Sequence, residues 1–335
     1  MKNLILPLLL LFVFSACEKE EPEDLKNYVS STATVNEIEY QTHKDGTAAI
    51  IRSKRKIDRF VEYDVVIPET IKIKNTVYCV TSIGDDAFRV NFDMTAVSIP
   101  NSITSIGNEA FYNCGSLASI NIPNSVKFIG KSAFEYCHSL ESVVIGTGVL
   151  SIGDEAFRGC GELTSISIGS SVASIGSRAF ETCNSLESIT IPNNVDSIKS
   201  GVFLNCKKLS EIIIEDGVKS IGDSAFEGCT ALTSITIPNS VTEIGHYIFR
   251  GCNAIEFISI GSSVASIGYN ALYGCINLKD IYFYNPITSF EIIGNLWGIS
   301  FPKYRYTVHV PNGCLDDYKL HGDFGWVDID IVEME

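Results

Sequence analysis

The cysteines are the residues of this sequence with the widest chemical repertoire, and there are eleven of them. In a secreted chain, cysteines favour disulfides, and clustered thiols also bind zinc. Here regular spacing argues against both, because neighbours in a column of stacked chain turns lie about 4.8 Å apart with parallel Cβ vectors. A disulfide needs Cβ atoms about 3.8 Å apart, and a line of sulfurs cannot surround Zn²⁺ tetrahedrally. Eight cysteines share one 23-residue spacing: Cys114, Cys137, Cys160, Cys183, Cys206, Cys229, Cys252 and Cys275. We predict that they form a structural ladder of buried thiols without metal, and that Cys79 and Cys314 do not pair with each other.

The other residue types that perform catalysis show no recognisable arrangement. Five histidines are scattered, and none lies in a zinc-protease, serine-hydrolase or phosphate-loop motif: His43, His138, His246, His309 and His321. Glycine follows isoleucine repeatedly, which we interpret as a turn residue. Carboxylates are abundant, but any two that face outward from adjacent turns can approach each other, so proximity alone does not indicate glycoside hydrolysis. The sequence therefore predicts no enzyme and no cofactor, and a glycan-degrading enzyme is a remote alternative.

An internal repeat organises these residues. An isoleucine returns every 23 residues without insertion: Ile83, Ile106, Ile129, Ile152, Ile175, Ile198, Ile221, Ile244 and Ile267. Read from that isoleucine, the unit is I-G-x-x-A-F-x-x-C-x-x-L-x-x-I-x-I-P-x-x-V-x-x. The I-x-I pair has the two-residue alternation of a strand, and the A-F-x-x-C segment is long enough for one helical or 3₁₀ turn. Coils that stack on one another in this way form a solenoid.

This unit resembles the BspA-like leucine-rich repeats of bacterial surface proteins. The resemblance implies a right-handed leucine-rich-repeat solenoid, mainly parallel β with short helical or 3₁₀ turns. It also implies a surface protein, often associated with adhesion to host or bacterial partners, with no catalytic residues to carry over. We expect repeats over residues 65–287, an N-terminal β cap over 28–64, and a degenerate last repeat with a C-terminal cap over 288–335. Within the N-terminal part, the alternation from Ile71 to Val80 around Asn75 predicts a hairpin.

The N-terminus has the features of a secretion signal. Residues 1–16 carry one positive side chain and an apolar run, and small residues precede Cys17. This pattern resembles a bacterial lipoprotein signal, so we expect acyl chains on Cys17; ordinary cleavage of a soluble secreted protein is the alternative. Residues 17–27 follow as an acidic tether, which also resembles an export signal to the outer face of the outer membrane. We expect a lipid-anchored outer-membrane protein, and the net charge of −15 argues against a nucleic-acid partner.

Candidate binding residues are those that interrupt the regular outward face of the strands. Serine and threonine dominate the two outward columns, which is typical of a crowded, solvated parallel sheet. Near the C-terminal end, Phe257, Asp280 and Tyr282 interrupt them, with Tyr284 and Trp297 nearby in sequence, and Glu211 with Ile213 forms a weaker irregularity. Exposed aromatics beside a carboxylate are typical of protein hot spots and sugar platforms. The alternative interpretation is that these aromatics pack beneath the C-terminal cap.

Two functional hypotheses follow from this face. The first is an adhesin-like module that binds a host or bacterial surface protein or glycan. The second is a passive structural or spacer lipoprotein of the envelope, which the near-uniform serine columns favour.

Overall fold

The computed structural model describes residues 31–53, 62–286, 291–292, 306–320 and 330–334. Within these residues the chain is a parallel β-solenoid, as the repeat predicts, and one 23-residue turn is called a coil below. Cys17 and the predicted signal and tether lie outside the described residues, as do Trp297 and Trp326. None of the helices in the described ranges has the length and apolar character that a membrane span requires.

The N-terminal end of the rod is built from hairpins. Its strands are β1 Thr32–Val35, β2 Ile38–Thr42, β3 Thr47–Ser53, β4 Tyr63–Val66, β5 Thr70–Ile73 and β6 Thr76–Ile83. β1, β2 and β3 pair antiparallel, and β3 then pairs parallel with β6. The hairpin predicted around Asn75 is confirmed, since β5 pairs antiparallel with β6. These hairpins are hydrogen-bonded directly to the repeat sheet.

Each coil contributes one longer strand to the first side of the rod. After β4 these strands are β7 Met94–Ser98, β9 Ser119–Ile122, β11 Ser142–Ile145, β13 Ser165–Ser167, β15 Ser188–Ile191, β17 Glu211–Ile214, β19 Ser234–Ile237, β21 Phe257–Ile260, β23 Asp280–Phe283, β25 Thr307–Val310 and β26 Asp330–Glu333. Their pairing is parallel and in register, and their residues alternate between exposed and buried positions. We call this side the long-strand face.

A second, two-residue strand in each coil carries the repeated isoleucine. These strands are β8 Ser105–Ile106, β10 Phe128–Ile129, β12 Ser151–Ile152, β14 Ser174–Ile175, β16 Ser197–Ile198, β18 Ser220–Ile221, β20 Glu243–Ile244, β22 Ser266–Ile267 and β24 Glu291–Ile292. They continue the sheet that begins at β6, and the isoleucine side chains point into the core.

The third side of each coil consists of turns, where the structure refines the expected helical segment. Glu135 N–H donates to Ser132 O, and Cys137 N–H donates to Phe134 O, as i to i+3 turns do. Ser132 and Tyr136, however, have φ values of 52° and 61°, in the left-handed region, so no helix can propagate through them. Between these turns, Phe134 N–H donates to Ala156 O of the next coil at 2.7 Å. The turn side therefore joins neighbouring coils by hydrogen bonds.

A continuous stack of phenylalanine rings fills the core behind these turns. Successive ring centroids are 5.1–5.9 Å apart, and the ring planes are within 10° of parallel. The stack comprises Phe88, Phe111, Phe134, Phe157, Phe180, Phe203, Phe226 and Phe249. Because each coil supplies one ring, every ring depends on its neighbours for burial, as in other repeat proteins.

The glycine after the repeated isoleucine is needed for close packing of the coils. A Cβ at Gly153 would lie 2.5 Å from the backbone of Gly130 in the preceding coil, where no side chain fits. Gly153 N–H instead donates to Ile129 O at 2.9 Å. Lys199 replaces this glycine in one coil, and in the described chain no equivalent hydrogen bond from its N–H is present. The strand pairing there contracts to Ile175 with Ile198.

The C-terminal end closes the core with a tyrosine and a short helix, α1 Leu315–Leu320. Tyr318 is fully buried, its ring centroid lies 5.9 Å from that of Phe283, and its hydroxyl donates to Asn285 O at 2.7 Å. β25 and β26 extend the long-strand face beyond β23. This end therefore combines a cap over the core with a continued sheet surface.

Candidate functional site

The eight repeat cysteines lie in the core as free thiols. Each thiol donates a hydrogen bond, with a sulfur–oxygen distance of 3.0–3.2 Å, to the carbonyl of the phenylalanine in the preceding coil; Cys137 bonds to Phe111 in this way. Burial raises the pKa of seven of them, in the case of Cys252 to about 12. The thiolate, which is the nucleophile and metal ligand, is therefore disfavoured.

The first coil fills the cysteine position differently. We expected Asn91 to bond to loop backbone, but its amide instead pairs with the Tyr63 hydroxyl, with an Nδ2–Oη distance of 2.6 Å and an Oδ1–Oη distance of 2.8 Å. Cys314, outside the ladder, carries a free thiol and so is not paired with Cys79. Among the described residues, no group of three or more His, Cys, Asp or Glu side chains could hold a metal ion.

The long-strand face carries two columns of outward side chains. Strand register places Ser234, Phe257 and Asp280 in the first column, and Thr236, Ser259 and Tyr282 in the second. β25 continues both columns, with Thr307 beside Asp280 and His309 beside Tyr282. The aromatic and charged residues predicted from sequence therefore meet on adjacent strands, and the structure adds His309 to them.

His309 ties together two of the predicted residues. Its Nε2 lies 2.8 Å from Asp280 Oδ1, and its ring stacks on Tyr282 with centroids 4.2 Å apart and planes 10° from parallel. The side chains of His309 and Asp280 are both largely buried. Because each ring or carboxylate is held by a neighbour, the cluster is ordered before any ligand arrives.

Phe257 lies next to this cluster and remains exposed, with 40% of its surface accessible. Lys279 Nζ is 5.9 Å from the Phe257 ring centroid, and it also forms a 2.7 Å ion pair with Glu256. The lysine therefore lies near the ring edge or face within cation–π range. We call Phe257, Lys279, Asp280, Tyr282 and His309 the C-terminal patch.

The two remaining candidates lie outside this patch. Glu211 is exposed in the same column as Phe257 but two coils earlier, about 10 Å away by strand spacing, with Ser234 between them. Tyr284 follows β23 directly and is 49% exposed. Of the aromatics, Tyr282 packs against a strand of the C-terminal end, as the cap interpretation expected, whereas Phe257 and Tyr284 are exposed.

Sequence reasoning missed His309 and Lys279. A signal for His309 existed, because Val308-His309-Val310-Pro311 matches the I-x-I-P strand of the repeat and so assigns His309 to the column of Tyr282. The match falls four residues late, which obscured that alignment. Lys279 carried no repeat signal, since the position before the first outward column varies freely.

The hydrogen-bonded pair of Asp280 and His309 resembles part of a catalytic triad in its geometry alone. A nucleophilic hydroxyl or thiol bonded to the second ring nitrogen would be required for acyl transfer. In the part of the chain that the structure describes, no such bond to His309 is present. The pair orients the ring against Tyr282, which is a binding arrangement rather than an assembled catalytic one.

Comparison with known proteins assigns the repeat to a family. A family model described as "BspA type Leucine rich repeat region" matches in six copies, over residues 81–210 and 173–293. Together these spans cover residues 81–293, or 213 of the 335 residues. The chain belongs to the BspA-type leucine-rich repeat family. The 23-residue coils, the phenylalanine stack and the cysteine ladder are thus its version of the BspA-type repeat.

Solved structures of other bacterial leucine-rich repeat proteins share this fold. A leucine-rich repeat protein from Bacteroides ovatus is 26% identical, with a TM-score of 0.56, and the match covers 90% of this chain and 100% of that one. A leucine-rich cell surface protein from Faecalibacterium prausnitzii is 26% identical, with a TM-score of 0.35 and coverage of 76% and 95%. The T. pallidum leucine-rich repeat protein is 25% identical, with a TM-score of 0.44 and coverage of 78% and 91%. A search of curated proteins found no match.

Proposed function

We propose that this BspA-type protein is a non-catalytic binding module, adhesin-like, that recognises a protein or glycan on a host or bacterial surface through the C-terminal patch. The observation that carries the proposal is the change in the long-strand face at β21 to β25. Small hydroxyls dominate the earlier coils, and there they give way to Phe257, Asp280, Tyr282 and His309.

The composition and rigidity of the patch support binding. Aromatic residues dominate binding energy at interfaces because they bury much apolar area with few rotatable bonds. Stacking between Tyr282 and His309 and the bond from His309 to Asp280 restrict those bonds further, so little conformational entropy is lost on association. A hydroxyl-only face offers no such anchor.

Loss of the two aromatic anchors should abolish most of the affinity. Phe257→Ala combined with Tyr282→Ala is expected to weaken ligand binding by at least about tenfold, because each ring is an exposed or half-exposed anchor at the centre of the patch. Surface plasmon resonance against the ligand found by array screening measures this effect. Val144→Ala is the matched control, since Val144 is 60% exposed in the second column, six coils before Tyr282. A folded double variant with wild-type affinity would remove the patch from the account.

A passive spacer is the second candidate, and the run of serines on the earlier coils favours it. Ser119, Ser142, Ser165 and Ser188 occupy consecutive positions of the first column. This surface has no anchor residue and suits a rod that only separates the C-terminal patch from the membrane. The two roles are compatible within one chain.

We propose further that the protein is displayed at the bacterial cell surface, anchored to the outer membrane through lipid on Cys17. BspA-type proteins are typically cell-surface proteins, and the F. prausnitzii structure is described as a cell surface protein. Cys17→Ser is expected to move the protein from the membrane fraction to the soluble fraction, because stable anchoring needs the acyl chains. Immunoblotting of fractions, with and without protease added to intact cells, measures this. A variant that stays with the membrane, or a wild-type protein that resists the protease, would contradict the proposal.

A further inference from the structure

A groove runs along the rod where the long strands end, beside the C-terminal patch. The cavity measures about 660 Å³, within the range of roughly 300–1,000 Å³ that is usual for small-molecule sites. Glu215 and Asp216 line one end, Pro238 and Gly261 line its middle, and Tyr284 lines the other end. We call this cavity the strand-end groove.

The repeat pattern explains why the groove is open. The residue after each long strand is usually proline or glycine, and Pro238 and Gly261 keep to that rule. Gly261 has no alternative, because a Cβ there would lie 2.5 Å from Pro238 O. The rule is broken at Glu215 and again at Tyr284, three coils and about 14 Å further along. Two departures from one column thus lie at the two ends of a single cavity.

The polar groups of the groove come from side chains, because the backbone is already bonded between coils. Glu215 N–H donates to Ile191 O, and Tyr284 N–H donates to Ile260 O, both at 3.0 Å. No strand edge is therefore offered here to an extended peptide. Asn239 Oδ1 accepts from Ser262 N–H at 2.8 Å, which leaves its NH₂ group to donate toward a ligand.

The remaining groups suit hydroxyl-rich ligands. Thr236 and Ser259 contribute hydroxyls to the lining, and Glu215 uses one carboxylate oxygen for Asn193 N–H, leaving the other oxygen available. Tyr284 is half exposed and supplies a ring for stacking against an apolar sugar face. One ring, two hydroxyls, an amide and two carboxylates match the mixture of C–H faces and hydroxyls on a pyranose.

We propose that the strand-end groove binds a neutral oligosaccharide, with one sugar stacked on Tyr284 and hydroxyls of a following sugar donating to Glu215 and Asp216. The two carboxylates, on a chain of net charge −15, select against uronic and sialic acids by repulsion. The inference rests on the proposed function in that it gives the C-terminal end a ligand, but it uses residues outside the C-terminal patch. The chemistry predicts a second, smaller subsite beside that patch.

Saturation-transfer NMR on the whole secreted chain tests this with defined probes. Neutral oligomers of glucose, xylose, mannose and N-acetylglucosamine are compared with oligogalacturonate. At least one neutral oligomer is expected to bind, and Tyr284→Ala is expected to weaken it about tenfold, as loss of a stacking ring does. Val144→Ala should leave it unchanged, and oligogalacturonate should give no signal. Absence of binding by every neutral oligomer, equal binding of oligogalacturonate, or undiminished binding by Tyr284→Ala would overturn the proposal.

The variant of the C-terminal patch separates this result from the proposed function. Phe257→Ala with Tyr282→Ala should keep oligosaccharide binding, because neither side chain lines the groove. Loss of a macromolecular ligand in that variant, with no oligosaccharide bound by wild type, would overturn the groove alone. Oligosaccharide binding that persists while the double variant retains its macromolecular ligand would overturn the patch alone.

Discussion

Above about pH 9 the folded rod is expected to lose stability steeply, because its buried thiols cannot ionise in place. Burial raises the pKa of seven ladder cysteines, in the case of Cys252 to about 12. In the unfolded chain each thiol ionises near its ordinary pKa of about 8.5. The folded state thus holds more protons than the unfolded state between those values. The stabilisation is complete below the unfolded pKa and is lost as pH rises toward the folded pKa.

The size of this effect follows from the number of thiols. Each contributes roughly 1.4 kcal/mol per pH unit in that window, so seven give about 10 kcal/mol per pH unit. A typical domain has a free energy of unfolding of only about 5–15 kcal/mol, so the rod should unfold near pH 10. Guanidinium unfolding followed by circular dichroism, at pH 7.5, 8.5, 9.0 and 9.5 under reducing conditions, measures the slope.

A variant without three central thiols is the control for this prediction. Cys160→Ala, Cys183→Ala and Cys206→Ala together lower stability at neutral pH, because each removes a buried side chain and a hydrogen bond to a phenylalanine carbonyl. The same variant should reduce the alkaline slope by about three sevenths. An unchanged slope in the triple variant would show that groups other than the ladder thiols control alkaline unfolding.

Removal of one ring from the phenylalanine stack is expected to cost about 3–5 kcal/mol of unfolding free energy. Phe157 is fully buried, with the Phe134 centroid 5.2 Å away on one side and the Phe180 centroid 5.6 Å away on the other. Phe157→Ala therefore opens a cavity in the middle of the rod and removes two stacking contacts. The free energy of unfolding from denaturant titration at pH 7 measures the loss.

The same chain offers a matched exposed phenylalanine. Phe128 is 52% exposed on the two-residue strand β10, and Phe128→Ala should change the free energy of unfolding by less than about 0.5 kcal/mol. Similar losses in both variants would mean that the stack is not a major source of stability. Since each coil relies on its neighbours, the Phe157 variant should also reduce the cooperativity of unfolding.

Much of this fold could be predicted from sequence because a strict period fixes which residues share a column. The 23-residue spacing alone places Ile129 beside Ile152 and Ser142 beside Ser165, and the strand register agrees. It also places the cysteines in one column inside the core. The hydrogen bonds from these thiols to phenylalanine carbonyls do not follow from spacing, since they depend on the path of the turns.

Local backbone conformation was the part that the pattern described least well. A three- to four-residue spacing indicates a helical turn, but it cannot reveal that Ser132 and Tyr136 adopt left-handed φ values. The glycine after isoleucine was interpreted as a turn residue, whereas its role is the close approach of adjacent coils, as Gly153 shows. Both features depend on the neighbouring coil, which a single unit of sequence does not display.

The candidate site was predictable only in part for a related reason. Phe257, Asp280 and Tyr282 stand out because they interrupt regular columns, whereas His309 lies beyond the last regular repeat, where the count of residues fails. The strand-end groove was not visible because it depends on an absent side chain at Gly261 between two distant departures, Glu215 and Tyr284. Cys17, the predicted lipid attachment, lies outside the described residues and stays a prediction.

Binding of residues 25–335 to arrays of glycans and extracellular-matrix proteins, beside the Phe257→Ala, Tyr282→Ala variant, tests the central claim most directly. The account predicts saturable binding of the wild-type protein to at least one surface ligand, and its loss in the folded double variant. Saturable binding that the double variant retains would contradict the assignment of the C-terminal patch. Absence of binding to every array component would contradict the adhesin-like function and favour the passive spacer.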